Sequence, residues 1–307
     1  MAKAKNATFL FNRDFMDYHK DRFHDYSLLI FKEGKLIGLM PAAICKTGVC
    51  SHQGLSYGGL VLDMNVEFND VLSCFRELLY FLKQNDIGSL QIKIIPKIYN
   101  LLPGDEIDYL LFKTKATLDR RDILSVIDYS RRLKINSKNR KRGLKRATSN
   151  ELIVQEQDEF DAFWNKILIP NLRTNHNVSP VHSIEEIIQL KRLFPKNIRQ
   201  FNVLNGDRIV AGATVFETNN VAHIQYISAD TDRQKFGSLD LLFDVLINDV
   251  FKDKKFFDFG ISNEKQGQKL NLGLLKWKES FGARSVIQDF YTIETKNYIK
   301  LDTLGYD

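Results

Sequence analysis

The run Phe256-Phe257-Asp258-Phe259-Gly260-Ile261 sets an acid inside an apolar strand pattern. A buried carboxylate needs a hydrogen-bonding partner or a task, so Asp258 is read either as structural or as a base that accepts a proton from an amine. The polar segment that follows, 262–272 (SNEKQGQKLNL), leaves a strand end, where ligand sites collect. Glu264 is a second candidate base or amine orienter there. Asn263 and Asn271, with Gly267 beside them, are candidate substrate contacts; the competing reading is an ordinary polar loop. Upstream, Val221–Ala229 (VAHIQYISA) carries His223, Gln225 and Tyr226. A period of two places His223 and Gln225 on one strand face and Tyr226 on the other. His223 is a further candidate base, Tyr226 a candidate proton donor to a leaving group, and Gln225 a candidate substrate contact. A single strand histidine is also a common structural group.

The chemistry such residues could carry is general acid–base work on a bound group, which needs a positioned base and stabilisation of developing charge. A course without a covalent enzyme intermediate is expected. The turn 231–237 (TDRQKFG) precedes a helical pattern. A helix N-terminus offers unpaired N–H groups to a phosphate, so Arg233, Gln234, Lys235 and Gly237 are candidate holders of donor phosphates. This turn and the Asp258 strand are expected to open onto one cavity.

Charge gathers in one place. The 307-residue chain carries a formal net charge of +6, and between Tyr129 and Asn150 there are nine Lys or Arg and no acid. The part 137–146 (SKNRKRGLKR) reads as a short basic helix. Lys138, Lys141, Arg142 and Lys145 share a face, and Leu144 and Ala147 form its small apolar side. A phosphate-bearing partner or a solvated face accounts equally for such a patch. Lys138, Arg142 and Lys145 are the candidate contacts to nucleotide or RNA phosphates.

The remaining composition is that of a globular protein, with 44% hydrophobic and 27% charged residues. No apolar run approaches the roughly 18 residues of a membrane-spanning helix, and the N-terminus does not read as a signal peptide. Three cysteines, Cys45, Cys50 and Cys74, lack metal-ligand spacing. No metal is expected, and a reducing cytoplasm is the expected location, with a disulfide disfavoured.

These residues need elements to hold them, and the elements repeat. In the first half, 27–32 and 35–44 read as strands around a Glu33-Gly34 turn. An extended stretch, 51–62 (SHQGLSYGGLVL), follows, then a helix over 68–84 and a strand over 90–95. In the second half, 199–204 and 208–217 read as strands around Asn205-Gly206-Asp207. A strand over 221–229, a helix over 239–251 and a strand over 255–261 complete it. Both halves read strand–turn–strand–strand–helix–strand. His52 and His223 open matching third strands, and Tyr57 before Gly58-Gly59 is a candidate substrate contact. Helices are also expected over 11–23, 159–172 and 182–193, the last capped by Ser183 with Glu186 three residues on. A short helix is read over 273–279.

Several of these segments resemble one family. They are SHQGLSYGGLVL (51–62), SKNRKRGLKRA (137–147), PVHSIEEI (180–187), RLFPKNI (192–198), AHIQYISA (222–229) and FDFGISNEKQGQKLNLGLLKWKESFGA (257–283). Together they resemble the FemAB-like, or BioF2-like, branch of the GCN5-related N-acetyltransferase (GNAT) superfamily. Gln234-Lys235-Phe236-Gly237 resembles the first part of that superfamily's pyrophosphate loop, with Leu239 departing at its last small position. The resemblance implies an α/β (α+β) fold of two tandem GNAT-like domains, mixed mostly antiparallel sheets flanked by helices, with a ligand cleft between them. The domains are read as 1–135 and 151–307, joined by a basic linker helix at 136–150, with the first domain shortened at its start relative to the family. The implied activity is transfer of an acetyl or aminoacyl group from acetyl-CoA, another acyl-CoA or charged tRNA to an amine. The acceptor would be an amino sugar or a nucleotide-linked precursor of cell wall or polysaccharide. The alternative is a non-catalytic protein that binds a nucleotide-sugar or RNA on the duplicated scaffold. A third reading seats the basic helix on an anionic membrane surface beside a lipid-linked acceptor.

Overall fold

The computed structural model describes residues 3–51, 53–135 and 137–304. The chain forms two units. One comprises Met1–Asp122, Lys265–Lys269 and Ile287–Asp307, the other Ile123–Glu264 and Leu270–Val286.

The first unit opens on short turns, with helix only at Arg13–Met16 between 3-10 turns at Phe9–Phe11 and Asp17–His19. The helix expected over 11–23 is broken because Asn12 caps a new start, its side chain accepting from the Asp14 N–H. Strands β1 (Leu28–Lys32) and β2 (Lys35–Met40) pair antiparallel around Glu33 and Gly34, both at positive φ. That is the backbone a two-residue hairpin turn demands. The strand expected to run on to Ile44 stops at Met40, before Pro41, which has no N–H for a ladder. It resumes as β3 (Ala43–Cys45), hairpinned to β4 (Gly48–Cys50). Cys45 and Cys50 are joined by a disulfide across this hairpin, a pairing the sequence reading disfavoured.

The extended stretch 51–62 is mostly turns; β5 (Val61–Leu62) pairs with β2, and Gly58 makes a single parallel bridge to Ile94. Gly58 also explains the turns. A Cβ there would lie 1.9 Å from the Ser51 carbonyl oxygen, so the chain doubles back on itself too tightly for a continuous strand. His52 lies outside the described residues. Helix α1 (Phe68–Gln84) carries Val71, Phe75, Leu78, Leu79 and Leu82 on its buried face and is closed at its start by a capping box from Glu67 and Asp70. Strand β6 (Ser89–Lys93) then lies parallel to β4. Helix α2 (Glu106–Lys113) and the start of β7 (Thr117–Asp128) follow.

The second unit takes β7 from Ile123 onward. Helix α3 (Lys138–Ser149) is capped by Ser137, whose side chain accepts from the Arg140 N–H. Strand β8 (Ile153–Gln157) leads to α4, a helical run over 161–176 with a π turn at Trp164–Leu168. Pro170 sits just past that turn. It can donate no N–H to the preceding turn, and a wider turn absorbs the missing bond. Helix α5 (Ile184–Leu193) has the expected capping box of Ser183 and Glu186. Strands β9 (Ile198–Asn205), β10 (Arg208–Glu217) and β11 (Val221–Ala229) form an antiparallel meander. Helix α6 (Ser238–Val245) extends through a π turn at Leu246–Val250. Strand β12 (Phe256–Ile261) returns parallel to β11. Helix α7 (Leu272–Glu279), β13 (Arg284–Glu294) and a 3-10 run over Thr295–Leu304 follow, and β13 pairs with β6 through Phe290–Glu294 in the first unit.

Each unit thus holds a parallel strand pair bridged by a helix, β4–α1–β6 and β11–α6–β12. Each also has its own core, one around α1 and one around α6. In the second, Phe243 meets Phe257, Phe259, Trp277 and Phe281 at ring-centroid distances of 6.2, 4.9, 5.4 and 5.3 Å. Among the described residues no helix is long and apolar enough to cross a membrane.

Candidate active site

The parallel pairing of β11 with β12 runs from Val221–Phe256 to His223–Asp258 and then stops. At that point His223 Nδ1 lies 2.9 Å from Asp258 Oδ2. The other carboxylate oxygen accepts the Gly260 N–H at 2.7 Å. Asp258 is fully buried, while the His223 side chain keeps 19% of its surface exposed. In a neutral imidazole, a carboxylate on Nδ1 selects the tautomer in which Nδ1 donates and Nε2 carries the lone pair.

The acid also shapes the strand. Gly260 has φ +72, a conformation that favours glycine, and the ladder between β12 and β7 slips between Asp258 and Ile261. A bulge leaves carbonyls without ladder partners, and buried carbonyls need donors. Lys278 on α7 supplies them, with Nζ 2.9 Å from the Gly260 oxygen and 2.6 Å from that of Ile261. Lys278 is buried, and burial pushes its ammonium pKa down to about 8. Nothing in the sequence pattern pointed to Lys278. Its only signal is a lysine one helical turn before the buried Phe281.

A second bulge rearranges β11. Thr214 pairs with Tyr226 and Val215 with Ile224, so Gln225 is the extra residue. Ala222 and Ile224 face the α6 core, and beyond the bulge so do Ile227 and Ala229. His223 and Tyr226 therefore point to the same face. This corrects the simple alternation, which a bulge resets by one residue. Tyr226 meets the Trp164 ring of α4 at 4.8 Å, and its hydroxyl sits 2.6 Å from His182 Nδ1 and accepts the His182 N–H at 3.2 Å. Burial pushes the phenol up to about 12. Its neighbours on the same face are polar and buried. Thr214 donates to the Gln200 Oε1 at 2.7 Å, and Gln200 donates to Asn202 Oδ1 at 2.7 Å.

The other expected residues are spread out. Asn263 Oδ1 takes the Ile123 N–H at 2.6 Å. Asn271 caps α7 by accepting from Leu274 N at 2.9 Å and donates to Glu264 at 2.9 Å. Asn263, Glu264 and Asn271 thus tie the loop together rather than presenting free groups. Tyr57 is buried in the first unit, with its hydroxyl 2.9 Å from Thr8 Oγ1 and its ring 4.8 Å from Tyr99. On α3, Gly143 and Ala147 are buried and Lys138, Lys141, Arg142 and Lys145 are exposed, so the charged face is turned outward.

The expected phosphate turn is closed. Arg233, Gln234 and Lys235 are exposed, but Gly237 is buried against α3, where a Cβ would come within 2.1 Å of the Gly143 oxygen. A pyrophosphate needs that backbone open, so these residues do not fit the pyrophosphate of coenzyme A. The turn also lies at the far end of β11 from His223, about 20 Å away at the usual rise of a strand. The single shared cavity expected for Asp258 and this turn is therefore not formed: one is sealed under His223 and the other under α3.

No family model matches the chain, and no curated protein matches it. Solved structures do. The chain superposes on FemX with a TM-score of 0.64 at 10% identity, covering 93% of this chain and 92% of that one. The chain has the FemX fold. It also resembles L-PGS from Bacillus licheniformis, with a TM-score of 0.59 at 11% identity over 95% of this chain and 94% of that one. The C-terminal domain of a putative lysylphosphatidylglycerol synthetase from Agrobacterium fabrum matches with a TM-score of 0.56 at 12% identity, over 90% and 87%. The mixed, mostly antiparallel architecture flanked by helices and the FemAB-like fold are as the motifs implied.

Proposed function

We propose that this protein transfers an acyl group to an amine, with His223 as general base and Asp258 as the residue that positions it. The observation that carries the reading is the His223–Asp258 pair where β11 and β12 part. The acceptor attacks as the free amine, and His223 Nε2 takes the proton its nitrogen sheds as the new C–N bond forms. The single bond from the carbonyl carbon to the donor's ester oxygen then breaks, and that proton passes from His223 to the leaving oxygen. Asp258 cannot touch a substrate from its buried position, so its part is to hold the ring and its tautomer. Tyr226, held by His182 on the same face, is the alternative proton donor to the leaving oxygen.

The donor this reading favours is an aminoacyl ester on RNA. The closed Gly237 turn argues against coenzyme A held there, and the outward cations Lys138, Arg142 and Lys145 suit a polyanion. Structures with the same fold include one named for lysylphosphatidylglycerol synthesis, in keeping with an aminoacyl donor. The acceptor is an amine on a small or nucleotide-linked molecule, and the proposed compartment is the cytoplasm.

The test is label transfer from aminoacyl-tRNA, with acetyl-CoA as the competing donor, to a set of amino sugars, UDP-amino sugars and simple amines. Transfer from aminoacyl-tRNA is expected, falling roughly 100-fold or more in His223→Gln, the size of a general-base effect, with an unchanged thermal melt. Transfer unaffected by His223→Gln removes the base assignment, and transfer from acetyl-CoA alone removes the donor. No transfer from either donor, with salt-sensitive RNA binding intact, leaves the binding-protein alternative.

A further inference from the structure

A cavity of about 460 Å³ lies inside the second unit, lined by the segment 132–135, α3, α6 and Phe281. We propose that this cavity binds a nucleoside phosphate. It is separate from the His223–Asp258 pair and from the Arg233–Gly237 turn, neither of which lines it. The inference deepens the transfer reading by giving the donor's nucleoside end a seat, and it rests on that reading only for which molecule carries the nucleoside.

Three features of the wall argue for this class. The first is apolar: Leu133, Ile135, Leu144 and Phe281 offer surface to a flat base. The second is an acid without enough donors. Asp240 on α6 is 7% exposed, and its Oδ1 makes no hydrogen bond among the described residues, although it faces the Arg140 guanidinium as an ion pair. A ribose hydroxyl or an exocyclic amine would supply the missing donor, because buried polar atoms cost free energy until bonded. The third is the division of the cations. Arg140 is committed to Asp240 and stacks over Phe281 at 4.9 Å, and Arg132 donates to Asn248. Lys134 and Lys141 are exposed, and no side-chain hydrogen bond or ion pair engages them among the described residues. They can reach a phosphate at the mouth while the base and ribose lie inside.

Simpler ligands fit less well. A bare phosphate would leave the apolar wall empty and meet the Asp240 and Asp244 carboxylates. An uncharged apolar ligand would add no donor to the Asp240 carboxylate beyond Arg140 and would use neither lysine. A nucleoside phosphate engages all three features, and the cavity's volume lies within the usual range for small-molecule sites.

The nucleoside phosphate could belong to a coenzyme or to the 3′ end of an RNA, and the two are separable. Calorimetric titration of the full chain at low salt would use 3′,5′-ADP and the trinucleotide CpCpA, with adenosine and inorganic phosphate as fragments. One of the two nucleoside phosphates is expected to bind at least tenfold more tightly than either fragment, and the preferred one names the source. The double variant Lys134→Ala/Lys141→Ala, whose side chains are exposed and whose fold should survive, is expected to weaken binding tenfold or more. Leu144→Trp, which fills the cavity, is expected to abolish it. Binding no tighter than the fragments, or binding unchanged in the lysine double variant, overturns the inference. Lost binding with undiminished acyl transfer counts against this cavity alone; intact binding with no transfer counts against the transfer reading alone.

Discussion

At the scale of single residues, the candidate site is an accommodation of one buried acid. Asp258 could be read as unusual from the sequence because it interrupts an apolar strand, but its partner could not. His223 lies 35 residues away and is brought opposite only by parallel pairing. Lys278 was illegible for the same reason, since its task arises from a bulge that no local pattern announces. Its titration gives a direct check. Burial lowers Lys278 to about 8, against 10.5 for the free side chain. Between these values the unfolded chain binds the proton and the folded chain does not, so folding stability rises with pH across that window and is flat below it. Lys93 of β6, lowered to about 8 by burial, contributes with the same sign. In Lys278→Met the Lys278 share disappears. Relative to the variant, the native chain should gain on the order of 1 kcal/mol per pH unit between pH 8 and 10 in urea unfolding. A difference between the two that does not change over this range would show that Lys278 titrates normally and is not desolvated as described.

At the scale of elements, legibility followed locality. The bounds of α1, β10 and β11 and the capping box of α5 were readable because each is set by side chains within a few positions. The stretch 51–62 and the bulge at Gln225 were not, because backbone contacts from distant segments override alternation there. Helix α3 shows both sides of this. Its outward charge was evident from spacing, but its inward fit was not. Gly143 lets α3 lie against α6 so closely that a Cβ would fall 1.7 Å from Asp240 Oδ2. The two faces should therefore respond differently to mutation. Gly143→Ala is expected to cost about 1–3 kcal/mol by overpacking, read in chemical denaturation. The triple variant Lys138→Ala/Arg142→Ala/Lys145→Ala, all exposed, should change stability by no more than about 0.5 kcal/mol. Its tRNA binding should lose up to about two to three units from the slope of log affinity against log salt. An unaltered salt slope in the triple variant would remove α3 from the RNA-binding surface, and an unaltered melt in Gly143→Ala would contradict the close packing.

At the scale of the whole chain, the first unit is completed by residues from the other end of the sequence. Strand β13 pairs with β6 from Phe290 to Glu294, Ile293 and Leu301 enter the core around α1, and Thr295 Oγ1 donates to the Ile87 oxygen at 2.6 Å. Arg76 on α1 adds an ion pair to Asp302 at 2.5 Å. No periodicity near the N-terminus hints at this return, because the information is held some 200 residues downstream. The dependence is physical. Without 287–307, β6 loses its antiparallel neighbour, the core loses two fully buried aliphatic side chains, and removing each such side chain costs roughly 2–5 kcal/mol. That approaches the whole stability of a typical domain. A chain ending at Val286 is therefore expected to leave its first unit unfolded. In hydrogen exchange, amides of α1 should exchange at the rate of an unfolded peptide. Those of β10, β11 and α6, whose core draws no residue from 287–307, should stay protected. Protection of α1 equal to that of the full chain would mean that the first core stands without its C-terminal strand. Loss of protection in β10 and β11 as well would mean that the core around Phe243 does not hold by itself.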